Sequence, residues 1–333
     1  MEWDLPLIWA GVIGTAVVMY VILDGFDLGI GILFPFAGND REREQMMASV
    51  KPFWDGNETW LVLGGGGLLV AFPRAYAVIM PAFYVPVIVM LLALVFRGIT
   101  FEFRGLAGSK AKWNVAFTAG STIAAFCQGL ILGGLIQGVR VENGAFAGGP
   151  FDWATPFAVM CGVGVTTGYA LLGATWLIMK TEGDIAQRAR RQAKILLVAV
   201  LIFMGIVSLW TPLTAPRIAQ RWFSMPNILY LWPVPVVTAL TAFACWSGLQ
   251  RQRDVLPFLA AIALFLLGYL GLVISWFPYL VPPSLTVWDT AAAPASQTFM
   301  LIGTLVLLPI ILGYTALIYW LFRGKVRADE GYH

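Results

Sequence analysis

The sequence predicts an all-α polytopic membrane protein of nine transmembrane helices, and three observations predict it. Mean hydropathy is +0.80, with 59% hydrophobic and 12% charged residues, a balance that no water-soluble chain of 333 residues sustains. Apolar runs of the roughly 17 to 25 residues needed to cross about 30 Å of hydrocarbon recur along the whole chain. These runs are too long for the strands of a membrane barrel, so each segment must satisfy its backbone within a helix.

The first run, 5–35, follows an opening MEWDLPLIW without a basic n-region and is too long for a cleavable signal, so it is expected to stay as helix one. The next two, 57–73 and 75–97, are separated at Pro73 and Arg74, and the fourth, 114–138, begins beyond Arg104, Lys110 and Lys112. The fifth, 154–179, lies between a glycine-rich turn and the charged Lys180; the sixth, 195–213, follows the basic cluster 188–194. The seventh, 228–248, starts after Pro226 and stops before Arg251, the eighth is 256–277, and the ninth, 298–322, ends at Arg323. No soluble domain is left over, and 1–333 is expected to form a single transmembrane domain. The connection 277–298 is rich in proline and small residues and reads as an ordered cap or turn.

With nine spans the termini fall on opposite faces, and 17 of the 21 basic residues then share one side: Arg41, Arg43, Lys51, Arg97, Arg104, Lys110, Lys112, Lys180, Arg188, Arg190, Arg191, Lys194, Arg251, Arg253, Arg323, Lys325 and Arg327. Arg74, Arg140, Arg217 and Arg221 fall on the other. The positive-inside bias makes the first side cytoplasmic, the N-terminus external and the C-terminus internal. The net charge of +3 is then a matter of sidedness and implies no nucleic-acid partner. Trp9, Trp54, Trp113, Trp153, Trp222, Trp232 and Trp288 near span ends fit an interfacial aromatic belt.

Several chemistries are excluded. The single histidine is His333, the last residue, so no haem can be held by imidazole within the bilayer. Cys127, Cys161 and Cys245 stand on separate predicted helices without a CxxC, which fits packing rather than a metal site. GGGG at 64–67 has no following Lys-Ser/Thr and reads as a close-packing surface, not a phosphate loop.

The acids carry the chemistry. Asp24 and Asp27 in VILDGFDLGIGILF are three residues apart, on one face of the inner half of helix one. A charged carboxylate facing lipid costs about 2.5 to 3.5 kcal/mol, so both must face protein or water, or hold a proton. Two uses are open: a proton relay or polar cavity, and capping of a break where GFDLGIG unwinds. WDGNETW (54–60) brings Trp54, Asp55, Asn57, Glu58 and Trp60 to the same inner face, where Asp55 and Glu58 also have the spacing of an acidic capping box. FRGITFEFR (96–104) adds Arg97, Glu102 and Arg104, either as interfacial anchors or as supports of a polar funnel toward the cytoplasm.

DGFDLGIG, WDGNETW, FRGITFEFR, LIQG, GYALLGATWLIMKTEG and FPYLVPPSLTVWD, in this order and essentially end to end, resemble subunit II of the bacterial cytochrome bd-type quinol oxidases. FAGGPFDWATPF (146–157) and GATWLIMKTEG (173–183) look closest to the cyanide-insensitive branch. The resemblance implies two four-helix bundles plus one peripheral helix. It also implies a heterodimer in the bacterial inner membrane, whose haem-bearing subunit I holds haem b and either haem d or a further haem b. Quinol would be oxidised there and O2 reduced to water with cytoplasmic protons, while this chain would bind no metal and contain no catalytic residue. Asp55 and Trp60 match positions thought to line the proton path, Asp24 and Asp27 match the paired acids of helix one, and Glu58 falls where relatives can be uncharged. Small single-helix accessory subunits are further expected partners, and a structural quinone or lipid between helices is left open. The competing classes are an ion-coupled secondary transporter, which also has interrupted helices and intramembrane acids, and a scaffold for the haem subunit.

Overall fold

The computed structural model describes residues 3–326; His333 and Arg327 lie outside the described residues. It is almost wholly helical. In chain order the helices are α1 (Leu5–Leu33), α2 (Asp40–Ala48), α3 (Trp54–Ala71), α4 (Pro73–Ala82), α5 (Tyr84–Phe103), α6 (Ala111–Gln137) and α7 (Pro156–Lys180). They continue as α8 (Gly183–Thr214), α9 (Pro216–Phe223), α10 (Asn227–Leu231), α11 (Pro233–Gln250), α12 (Leu256–Trp276), α13 (Val287–Thr290) and α14 (Pro294–Leu321). Two small antiparallel hairpins, β1–β2 (Val141–Glu142 and Ala145–Phe146) and β3–β4 (Tyr279–Val281 and Leu285–Thr286), sit in the connections after α6 and α12.

Among the described residues, eight helical segments are long and apolar enough to cross a membrane: α1, α5, α6, α7, α8, the α10–α11 pair, α12 and α14. The second expected span, 57–73, is helical as α3 but is not one of the eight, because its 18 residues open on the polar turn WDGNET. The third expected span, 75–97, is not one helix: it breaks at Phe83 into α4 and α5. α5 then runs on to Phe103, so Arg97 lies within the helix rather than at its end. α8 begins at Gly183, well before the expected 195, because the basic cluster 188–194 is itself good helix former. Hydropathy locates the lipid-compatible part of a helix, whereas the backbone ladder continues past it.

α1 is unbroken through GFDLGIG, which removes the idea that its acids cap an unwound turn. The glycines serve close approach instead. A Cβ on Gly29 would overlap the Tyr169 carbonyl and the Gly173 amide nitrogen, and one on Gly173 would overlap the backbone of Gly29. α1 and α7 therefore cross backbone to backbone there, as small residues allow in membrane bundles. The GGGG run behaves differently: Gly67 faces Ile13 and Gly64 faces Val17 on α1, while Gly65 and Gly66 face open space.

α1 packs against α3, α6 and α7, α5 packs along α6, and α7 continues the contact to α8 and α12, with α11 against α12 and α8. Among the long helices α14 packs chiefly on α1 and α3, with Tyr319 also reaching the Trp176 ring of α7, and it has no buried residue in its membrane window. Below the glycine crossing, Phe26 of α1 stacks on Trp176 of α7 (centroids 4.1 Å apart), with Phe53, Phe258 and Tyr319 around them. The connection after α12 is ordered: α13 carries a capping box between Thr286 and Asp289, and Trp288 donates to Asp4, the N-cap of α1, at 3.0 Å. Trp9, near the start of α1, is turned into the protein: it is 3% exposed and donates to the Gln297 carbonyl near the start of α14 at 3.1 Å.

Candidate functional site: a buried carboxylate network

α1 brings Asp24 and Asp27 into the middle of the packed helices, where both are fully buried. They share a helix face but take different partners. Asp24 Oδ1 accepts from Arg97 Nη1 of α5 at 2.5 Å, and Arg97 Nη2 donates onward to Glu58 Oε2 of α3 at 2.7 Å. Arg97 is completely buried, whereas the Glu58 side chain is 28% exposed and forms the accessible end of this chain of charges. Asp27 Oδ2 accepts from Asn57 Nδ2 at 2.7 Å, and Asn57 Oδ1 accepts from the Tyr319 hydroxyl of α14 at 2.9 Å.

Asn57 and Glu58 are neighbours in sequence, so one turn of α3 serves both aspartates. The capping box expected of Asp55 and Glu58 does not form, since α3 begins at Trp54 with Phe53 as an N-cap that makes no side-chain bond. Asp55 is thereby inside the first turn and exposed, and Glu58 is drawn to Arg97 instead. Trp60 is buried beside Tyr20, and Trp54 stacks on Phe101 with rings 5.0 Å apart. Glu102 is exposed. Arg104 is buried but points elsewhere, donating through Nε to Asn114 at 2.7 Å and lying over the Phe34 ring.

The electrostatics of the cluster are unbalanced. Asp24, Asp27 and Glu58 are three carboxyls around the one guanidinium, and the latter contacts only Asp24 and Glu58. Asp27 is met by an amide. Asp24 Oδ2, Asp27 Oδ1, Arg97 Nε and Trp60 Nε1 are buried polar atoms with no protein partner, and buried polar atoms of this kind are ordinarily bonded to water or another group.

Sequence reasoning missed the hydroxyl and amide groups. One turn before Asp24, the Tyr20 hydroxyl accepts from Gln128 Nε2 at 2.9 Å, and the Tyr169 hydroxyl donates to Gln128 Oε1 at 2.6 Å. This carries a hydrogen-bonded line from α1 through α6 to α7. Tyr20 at four residues before Asp24 and the mid-span Gln128 were the available signals; nothing local distinguishes Tyr319 from any tyrosine near a span end.

Fold and site together define a polytopic helical membrane protein built around a buried network of three carboxyls and one guanidinium. The family profile described as cytochrome bd terminal oxidase subunit II matches residues 5–322, and the chain belongs to that family. It is 29% identical to the cytochrome bd-I ubiquinol oxidase subunit 2 of Escherichia coli K12, over 98% of this chain and 96% of that one. Identity is also 29% with the cytochrome bd ubiquinol oxidase subunit 2 of Bacillus subtilis, covering 97% of each. A chain of the bd oxidase structure from Geobacillus thermodenitrificans superposes with a TM-score of 0.73 at 20% identity, covering 96% of this chain and 99% of that one. The chain is accordingly a subunit of a terminal oxidase, an oxidoreductase complex.

Proposed function

We propose that this chain is the non-haem-ligating subunit of a bd-type quinol oxidase in a bacterial inner membrane and carries cytoplasmic protons toward a haem held by subunit I. The partner would hold haem b with haem d or a further haem b, oxidise quinol and reduce O2 to water. The reading includes nine spanning helices, α3 among them, arranged as one bundle of α1, α3, α5 and α6 and another of α7, α8, α11 and α12, with α14 peripheral; α1 on α3 and α6, α5 on α6, α7 on α8 and α12, and α11 on α12 fit it, while α7 also packs closely on α1 and α6 across the two sets. It also places the N-terminus outside. Four ion pairs at one end of the molecule, Lys110–Glu44, Arg188–Glu42, Arg190–Asp254 and Lys325–Asp254, draw only on the basic residues assigned to the cytoplasm.

The observation that carries the proton reading is the sharing of one buried arginine by a buried and a partly exposed carboxylate, next to a second buried carboxyl without a cation. Asp55 and Glu58 form the cytoplasmic mouth. Arg97 holds Asp24 and Glu58 in line, and Asp27 takes up and releases the proton, with Asn57 orienting it. The partnerless oxygens of Asp24 and Asp27 are the positions for bridging water. A neutral Asn at 24 and 27 keeps the shape and removes the exchangeable proton. The double variant Asp24→Asn, Asp27→Asn should assemble with full haem content yet lose most O2-driven proton uptake in vesicles. Wild-type uptake and O2 consumption at matched haem would remove the path from this chain and leave it a scaffold. Asp55→Asn in the same assay tests the mouth: slowed turnover with unchanged haem spectra is expected.

A further inference from the structure

We propose that a recess where α7 and α14 end binds the phosphate group of an anionic molecule, with a membrane phospholipid as its source. The recess has a volume of about 160 Å³ and is lined by Ser49, Phe53, Lys180, Leu321, Gly324 and Lys325, among others, with no carboxylate among the described residues of its wall. That is well above the roughly 10–15 Å³ a single water requires, so a phosphate group fits.

Lys180 sets the chemistry. It is 4% exposed, and its ammonium donates to the Phe322 carbonyl and, at 3.1 Å, to the Gly324 carbonyl, both at the C-terminal end of α14. The rings of Phe53 and Trp176 lie 5.6 and 5.2 Å away. Helix-end carbonyls and aromatic faces favour a cation, each by a fraction of a full counter-charge. No carboxylate pairs with this ammonium among the described residues, whereas removing a charge from water is strongly opposed unless an opposite charge meets it. Lys325, also in the wall, already contacts Asp254 at 2.8 Å and Glu182 at 3.6 Å.

The surroundings identify a lipid. Leu321 is 59% exposed and ends α14, whose membrane window has no buried residue, so acyl chains have an apolar track directly beside the recess. Lys180 and Phe322 fall at the ends of spans, the depth of the headgroups. Arg323, exposed on the next position, adds a cation at that level. Clustered basic side chains at span ends are the usual means of holding anionic headgroups.

The test uses the assembled complex in nanodiscs of phosphatidylcholine containing a minor fraction of phosphatidylglycerol, exchanged into detergent and weighed by native mass spectrometry. Wild type should retain phosphatidylglycerol selectively. Lys180→Gln, and independently the half-exposed Lys325→Gln in case the first fails to fold, should each weaken retention on the order of tenfold, the equivalent of one charge-assisted hydrogen bond. A thermal shift with inorganic phosphate but no selective lipid retention would uphold the phosphate site and assign it to a free anion. Absence of both effects overturns the proposal. So does selective retention that emerges only when the chain is ended at Val326, because the acidic residues Asp329 and Glu330 would then be the natural occupants. The readout is lipid binding, so its failure leaves the proton path untouched, and the reverse holds too.

Discussion

Replacing Arg97 by Gln isolates the electrostatic logic of the site. The guanidinium makes two charge-assisted bonds, 2.5 Å to Asp24 and 2.7 Å to Glu58, and both it and Asp24 are fully buried. Glutamine can still donate one hydrogen bond but brings no charge, so Asp24 is left as an uncompensated buried carboxylate. Breaking a buried pair from one side costs about 3–5 kcal/mol. Glu58 adds little to that cost, since its partly exposed side chain can turn toward water. The thermal midpoint of the assembled complex should fall by roughly 5–10 °C at neutral pH, taking about 2 °C per kcal/mol for a chain of this size. Adding Asp24→Asn should restore most of the loss, because two amides then share a neutral hydrogen bond worth about 1 kcal/mol and no buried charge remains. The double-mutant cycle, read by thermal unfolding, should therefore show a coupling of at least about 2 kcal/mol. If Arg97→Gln unfolds at the wild-type temperature, or if Asp24→Asn deepens the loss, the two groups are not a charged, mutually dependent pair and the network reasoning fails.

Two other perturbations test the scaffold. Gly29→Ala drives a methyl into the Tyr169 carbonyl and the Gly173 backbone, which cannot rotate away, so overpacking of about 3 kcal/mol or more and loss of assembled complex are expected; Gly65→Ala, which meets nothing within 4 Å in this chain, should leave its folding unchanged by circular dichroism. At the end carrying the C-terminal segment, burial tends to raise the Asp254 carboxyl, but Lys325 and Arg190 together hold it below its usual range. Its stabilisation is thus present above the ordinary carboxylate range and fades as pH falls through the lowered value. Because the side chain is 39% exposed, solvent screening limits the effect to below about 1 kcal/mol. A small midpoint difference between wild type and Asp254→Asn at neutral pH should close in acid and in high salt.

What could be read from the sequence follows the reach of local chemistry. Hydropathy places the helices because every span must exclude water over the same thickness, and it did so within a few residues for α1, α6, α7, α12 and α14. The pair Asp24 and Asp27, and the clusters WDGNETW and FRGITFEFR, stood out because charge is expensive in lipid wherever it lies along a chain. Partnership is another matter. Whether Glu58 caps its own helix or reaches Arg97, whether Trp9 faces outward or packs on Gln297, and whether GFDLGIG unwinds or packs depend on which helix arrives beside it. Only the packing decides these: the α1–α7 crossing at Gly29 and Gly173, α3 against α1, Arg97 of α5 reaching both Asp24 and Glu58, and the start of α14 beside Trp9. The same packing enlists Tyr20, Gln128, Tyr169 and Tyr319 from four helices, none of which carries a charge that would have marked it. A buried charge announces itself in one dimension, and its counterpart is chosen in three.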